Sequence, residues 1–202
     1  MITVALYNDI HGGARGTIDL LAPSPLVSRI LIVHSGNPQP AGPKCLGIRG
    51  DNLASAPVLE AVLRQARTRY LLVITQKTAI DIGGRALERM VEVGRTAGAG
   101  MLYSDYEETG PGGARRERPV NDYQPGSIRD DFHFGPVQFF STAAIRQALA
   151  ACGVNEELCV RSFDAILGSS PNSMWRFRLT PLRQFSACWS RLRIALIPPS
   201  EN

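Results

Sequence analysis

Apolar and polar positions follow two rhythms along this chain. Short, nearly unbroken apolar runs occur at Ile2–Tyr7, Val27–His34 ("VSRILIVH"), Cys45–Ile48, Tyr70–Thr75 and in "AGMLYSD". Their length and β-branched content predict buried strands. Between them, "PVLEAVLRQAR" places Val58, Leu59, Val62 and Leu63 at helical spacing, and "GGRALERMVEVGRTAG" does the same with Leu87, Met90, Val91 and Gly94. Asp51 or Ser55 can cap the first of these helices, with Pro57 in its tolerant first turn. A shorter helix over Thr17–Leu21 is stopped by "PSP". Further on, Val137–Phe140 predicts another strand, and "STAAIRQALAACG" a helix starting at Ser141 or Thr142 and ending at Gly153. Asn8–Gly16, "SGNPQPAGPK" and Gly110–Gly113 are loops. Strands alternating with helices over the first hundred residues imply an α/β fold: a mostly parallel sheet with helices on both faces.

Composition bounds this picture without changing it. The chain has 202 residues, 44% of them hydrophobic and 20% charged. That supports one domain with a substantial core, at most with a small appendage. The net charge of +4 suits an anionic small molecule and does not call for nucleic acid. Arg161, Arg176, Arg178, Arg183, Arg191 and Arg193 crowd the end of the chain against only Asp164 and Glu201. Such a tail is either a solvated face or a contact for an anionic lipid surface or a membrane-bound partner. Cys45, Cys152, Cys159 and Cys188 form no CxxC pair and no zinc-type cluster, which reads as reduced thiols in a cytoplasmic protein. "MITVALYNDI" reads as a first strand rather than a leader, and no apolar run reaches membrane-spanning length.

Chemistry enters at the strand tips, where open α/β sheets bind their ligands. The strand "YLLVI" runs out into Thr75, Gln76 and Lys77. Lys77 at such a tip either pairs with a phosphate or is an ordinary solvated lysine. "YSDYEE" places Asp105 directly after a strand, with Glu107 and Glu108 beyond it as water-facing acids. "SIRDDFHFG" sets Arg129, Asp130 and Asp131 among Phe132 and Phe134. This suits either a turn locked by its own ion pair or a sugar site, in which rings stack on apolar sugar faces and acids bind hydroxyls. His133 is a packed or exposed histidine. No GxGxxG or GxxxxGK[ST] motif is present, which argues against the common alternative nucleotide folds.

The order of these parts resembles the nucleotide-binding half of family-2 glycosyltransferases. "ALERMVEVGRTAGAGMLYSDYEE" followed by "RPVNDYQPGSIRDDFHFGPVQFFS" is similar to a bacterial subgroup in which "YSDYYE" and "DYQ.GS.RDDF.FG" recur in this order. The resemblance covers about the first 145 residues and fades after Leu167. It implies a Rossmann-like sheet of the nucleotide-diphospho-sugar transferase type over residues 1–167, with 168–202 a divergent or truncated basic tail. The implied activity is transfer of a sugar, with inversion, from a nucleotide-diphospho-sugar to a glycan or polysaccharide acceptor, in the cytoplasm or at the inner face of a membrane. The implied cofactor is Mn2+ or Mg2+. Asp51 and Asn52 would contact base or ribose, although Asp51 serves equally as a helix cap. Lys77, Arg129 and Asp130 would face the donor, and Asp105 would be a displaced metal ligand or a donor contact. Asp164 in "RSFDAIL" would be the general base, with Asp131 as the alternative.

The chain departs from the family pattern at two donor positions. Thr75-Gln76-Lys77 stands where an Asp-x-Asp metal motif is expected, and His34-Ser35 where an acidic turn is commoner. A hard divalent cation needs oxygen ligands of a kind that threonine, glutamine and lysine do not provide. The competing expectation is therefore a catalytically degenerate member acting as a binding or assembly module.

Overall fold

The fold was analysed in a computed structural model, which describes residues 1–8, 13–36, 42–53, 55–83, 85–109, 114–120, 134–152, 175–178 and 192–196. In chain order the elements are β1 (Ile2–Tyr7), α1 (Arg15–Leu21), β2 (Val27–His34), β3 (Cys45–Arg49), α2 (Ala56–Gln65), β4 (Tyr70–Ile74), α3 (Ala86–Ala97) and β5 (Met101–Ser104). There follow β6 (Tyr106–Thr109), β7 (Arg115–Arg118), β8 (Val137–Ser141), α4 (Thr142–Cys152), β9 (Trp175–Arg178) and β10 (Leu192–Leu196).

One eight-stranded sheet has the order β3-β2-β1-β4-β8-β5-β10-β9. β3, β2, β1 and β4 pair in parallel. β8 enters antiparallel between β4 and β5, and β10 and β9 extend the sheet beyond β5 with antiparallel pairing. β1 to β5 and β9 therefore run one way, against β8 and β10. The strand at Val137 is present as the sequence predicts. Its insertion between β4 and β5 follows from pairing across more than thirty intervening positions, which local pattern does not encode. Two pieces of the basic tail, β9 and β10, are strands of this sheet.

Alternate residues of the central strands feed two cores. On one face Ala5, Leu31, Val33, Leu71, Val73 and Phe140 pack with Val58, Leu59, Val62 and Leu63 of α2 and Ile145 of α4. On the other, Val4, Leu6, Ile30, Ile32, Leu72, Ile74 and Phe139 pack with Ile18 and Leu21 of α1 and with Leu87, Met90 and Val93 of α3. Strands covered on both faces must be apolar at every position, which is why their sequences run unbroken instead of alternating. Each fully buried Leu or Val stabilises by about 1.5–3 kcal/mol, so helix packing on both faces dominates over strand propensity.

The helices end for identifiable reasons. α3 stops at Gly98, whose φ of 59° is left-handed and suits glycine. Its buried side includes Val93 in the core, with Val91 only half-buried at the margin. Ser55 occupies the cap position of α2, yet its hydroxyl donates to Asn52 O at 2.9 Å instead of capping the helix. Asp51 lies further out, on the surface. The C-terminus of α2 is closed from outside the helix: Arg146 of α4 donates to Leu63 O at 2.8 Å and to Ala66 O at 3.0 Å. A guanidinium at that end also meets the negative pole of the helix.

β6 and β7 form a separate two-stranded hairpin on the surface. Glu107 and Glu108, expected as acids facing water, pair with Arg115 (3.7 Å) and Arg118 (2.7 Å). No helix among the described residues is long and apolar enough to cross a membrane.

Candidate functional site

Because β1, β2, β3, β4 and β5 are co-oriented, their C-terminal ends share one rim of the sheet. From β1 the chain passes to β2 and β3 on one side; it then returns through α2 to β4 on the other side of β1. The carboxyl ends of β1 and β4 lie side by side at this reversal, and open α/β sheets bind their ligands at such strand ends. Tyr7 and Asn8 stand on one wall, and Thr75, Gln76 and Lys77 on the other.

Each wall is held by identifiable bonds. Asn8 N donates to Val33 O at 2.9 Å, and its Oδ1 accepts from Ala14 N at 3.1 Å, joining the end of β1 to the residue before α1. Across the crevice, Thr75 N donates to Pro136 O at 3.0 Å, with the Thr75 hydroxyl at 3.4 Å from the same oxygen. Downstream, the buried Thr17 hydroxyl accepts from Ile80 N at 2.7 Å and donates to Ile80 O at 3.2 Å. The loop carrying Lys77 is thus tied to the body at both ends. Lys77 is exposed, and its Nζ lies 4.8 Å from the centre of the ring of Tyr7, which is half-buried against the core. An ammonium at that distance is attracted to the negative face of the ring by about 0.5–1 kcal/mol, which favours this placement of the charge.

The neighbouring tip belongs to β2. His34 O accepts from Gly50 N at 2.9 Å, drawing the chain before α2 onto the rim and placing exposed Asp51 and Asn52 there. Gly50 is required by space: a Cβ there would lie 2.2 Å from Val58 Cγ2. The His34 ring is 8% exposed, and its Nε2 has no hydrogen-bond partner among the described residues.

Asp105 follows β5 and is separated from β4 by β8. Two strand spacings put it about 10 Å along the sheet from the β4 tip. Its Oδ1 accepts from Val120 N at 2.7 Å, closing the base of the hairpin. Beside it, Gly135 has a φ of 80°, and a Cβ there would come within 3.0 Å of Ser104 O. Phe134, the described end of the "RDDFHF" run, is buried edge-on against Tyr103 with ring centres 5.1 Å apart.

The structure therefore brings Asp51, Asn52, Lys77 and Asp105 to one rim, and sets Asp105 apart from the β1/β4 crevice. Arg129, Asp130, Asp131 and Asp164 lie outside the described residues. A divalent cation does not fit the donor set at the β4 tip: a hydroxyl, an amide and an ammonium stand there, and the ammonium repels a second cation. Among the described residues no three His, Cys, Asp or Glu side chains are grouped to hold a metal. Burial pushes the half-buried Cys45 thiol up from its ordinary value, against a smaller lowering by Arg15.

Sequence reasoning misses Tyr7 and Thr17. The signal for Tyr7 is an aromatic residue ending the first strand, the strand that flanks the reversal. Thr17 gives no signal, because its partner is sixty-three positions away.

No protein-family model matches the chain, and no curated protein sequence matches it. Among solved structures, it is similar to the crystal structure of 2-C-methyl-D-erythritol 4-phosphate cytidylyltransferase from Thermus thermophilus. Identity is 16%, 81% of this chain and 85% of that chain are covered, and the TM-score is 0.40. The α/β assignment rests on the strand order and the helices on both faces described above.

Proposed function

We propose that the chain binds a nucleotide-diphospho-sugar at the β1/β4 crevice and acts as a transferase of the glycosyltransferase type, passing the sugar to a glycan acceptor with inversion. The observation that carries this reading is the placement of Lys77, a cation held on the Tyr7 ring at the switch point of the sheet. A fixed positive charge in such a crevice suits a diphosphate, and the exposed Asp51 and Asn52 on the same rim suit base or ribose hydroxyls. In the transfer, a general base takes the acceptor hydroxyl proton while that oxygen attacks the anomeric carbon. The bond from that carbon to the diphosphate breaks, and the nucleoside diphosphate leaves with the electron pair. Asp164 is assigned the base role, with Asp131 as the alternative, on the family resemblance. The same resemblance makes Asp105 a donor or metal contact, whereas in this fold its carboxylate bonds Val120 N.

A second reading is a catalytically degenerate module that binds without transferring. It is favoured by the use of the Asp105 carboxylate to hold Val120 N and by the Thr75-Gln76-Lys77 tip.

Isothermal titration against UDP- and GDP-sugars, with and without manganese, tests binding, and product analysis with a glycan acceptor tests transfer. Binding with turnover supports the first reading, and binding without turnover supports the second. A folded sample that binds no nucleotide overturns both.

A further inference from the structure

The donor set at the β4 tip departs from a metal site in a specific way: the position expected to carry an acid carries a base. From this we infer that the crevice binds its diphosphate without a divalent cation, the Lys77 ammonium taking the cation's place and the Tyr7 ring holding it in position. The inference rests on the nucleotide-sugar reading above and adds the means of charge neutralisation.

Three observations converge. First, the Lys77 charge is placed: Nζ sits 4.8 Å from the Tyr7 ring centre, while Tyr7 is itself anchored against the core. A surface lysine without such a partner samples many rotamers and loses that freedom on binding, whereas a held ammonium loses less. Second, the loop is fixed on both sides of Lys77, by Thr75 to Pro136 O and by Ile80 to the Thr17 hydroxyl. The ammonium is thus borne on a loop anchored before and after it, beside the end of β1. Third, the carboxylate nearest in kind, Asp105, stands two strands away with one oxygen already bonded to Val120 N. A cation held by Asp105 would not reach the same phosphates as one held at the β4 tip.

The charge balance is coherent. A nucleoside diphosphate ester carries two negative charges at neutral pH, and a lysine neutralises one of them directly through charge-assisted hydrogen bonds. The remaining charge stays partly solvated at this exposed rim. Binding is then weaker than at a metal site and strongly salt-dependent, because the crevice lies within reach of mobile ions.

Titration of UDP and GDP into the full chain in EDTA, and again in manganese, tests this directly. Binding in EDTA is expected, with manganese changing the affinity by less than about threefold and added salt weakening it steeply. Lys77→Met is expected to weaken binding about 10- to 100-fold, and Lys77→Arg, which keeps the charge, to weaken it less than Lys77→Met does. Tyr7→Leu is expected to weaken binding about two- to fivefold. Binding that requires manganese or magnesium overturns the inference and leaves the nucleotide reading standing, as does a Lys77→Met chain that binds normally in EDTA. Failure of the folded parent chain to bind either nucleotide, with or without metal, overturns both. The salt dependence of the parent chain needs no variant, so a substitution that impairs folding leaves the test intact.

Discussion

Lys77 follows β4 in the parallel half of the sheet, and Asp105 follows β5 in the antiparallel half; the two strand tips use their charge in opposite ways. Lys77 keeps its ammonium outside, resting on an aromatic ring at the rim of the sheet. Asp105 turns its carboxylate inward and bonds the backbone where the β6–β7 hairpin rejoins the body. The difference follows from topology. At the β1/β4 reversal the loop after β4 is tied to α1 through Ile80 and Thr17, and Lys77 stays exposed upon it. Beyond β4, the antiparallel β8 brings residues 134–136 up against both tips, and the loops there need holding together. A charged residue after a strand is therefore not a site by virtue of its position alone; the direction of the adjacent strand decides.

Breaking the junction between the halves has the largest expected effect. Phe139 of β8 stacks on Tyr70 of β4 with ring centres 4.8 Å apart and is fully buried. Phe139→Ala is expected to lower stability by about 3–5 kcal/mol in urea denaturation, with loss of nucleotide binding only as folding is lost. A loss below about 1 kcal/mol would mean that the two halves are not joined through this stack.

Asp105 comes next and sharpens the comparison most. Asp105→Ala leaves Val120 N without its acceptor and is expected to cost about 1–3 kcal/mol, while nucleotide affinity in EDTA stays at the parent value. Asp105→Asn, which keeps an acceptor oxygen, is expected to recover part of that stability. Manganese-dependent loss of nucleotide binding in Asp105→Ala, with stability unchanged, would return Asp105 to a donor or metal role.

On the opposite face the halves are linked by Arg146, which closes α2 from α4. Its side chain is exposed, so Arg146→Ala is expected to cost about 1 kcal/mol, read as a shift in the urea midpoint with an unchanged slope. The smallest effect is expected in the hairpin. Replacing both Glu108 and Arg118 by alanine removes an exposed ion pair and is expected to change stability by less than about 1 kcal/mol. A larger loss would show that the hairpin packs on the body through more than Tyr106, Val120 and the Asp105 bond.

Much of the fold is legible in the sequence because it is written in local patterns. β1, β2 and β4 are continuous apolar runs, and α2 and α3 repeat their apolar residues at helical spacing; the structure places the strands and α2 within two residues of the expected bounds and starts α3 three residues later. The β6–β7 hairpin is not legible, since "YEET" and "RRER" are too polar to read as strands, and their cross-strand charge pairs exist only once they lie side by side. The site is legible in half. Thr75-Gln76-Lys77 stands out as a strand tip lacking acids, but nothing near Lys77 in sequence points to Tyr7, seventy positions earlier. The candidates Arg129, Asp130, Asp131 and Asp164 remain expectations from the family resemblance.

Local pattern sets which segments are strands and helices and that the strands are covered on both faces, because periodicity and residue chemistry act over a few neighbouring positions; that Lys77 stands where an acid is expected follows from the family resemblance alone. Only the tertiary structure decided the neighbours: β8 between β4 and β5, the Lys77 ammonium on the Tyr7 ring, and the Asp105 carboxylate on Val120 N. Each is a contact between segments far apart in the chain, selected by which packing buries the two apolar faces together.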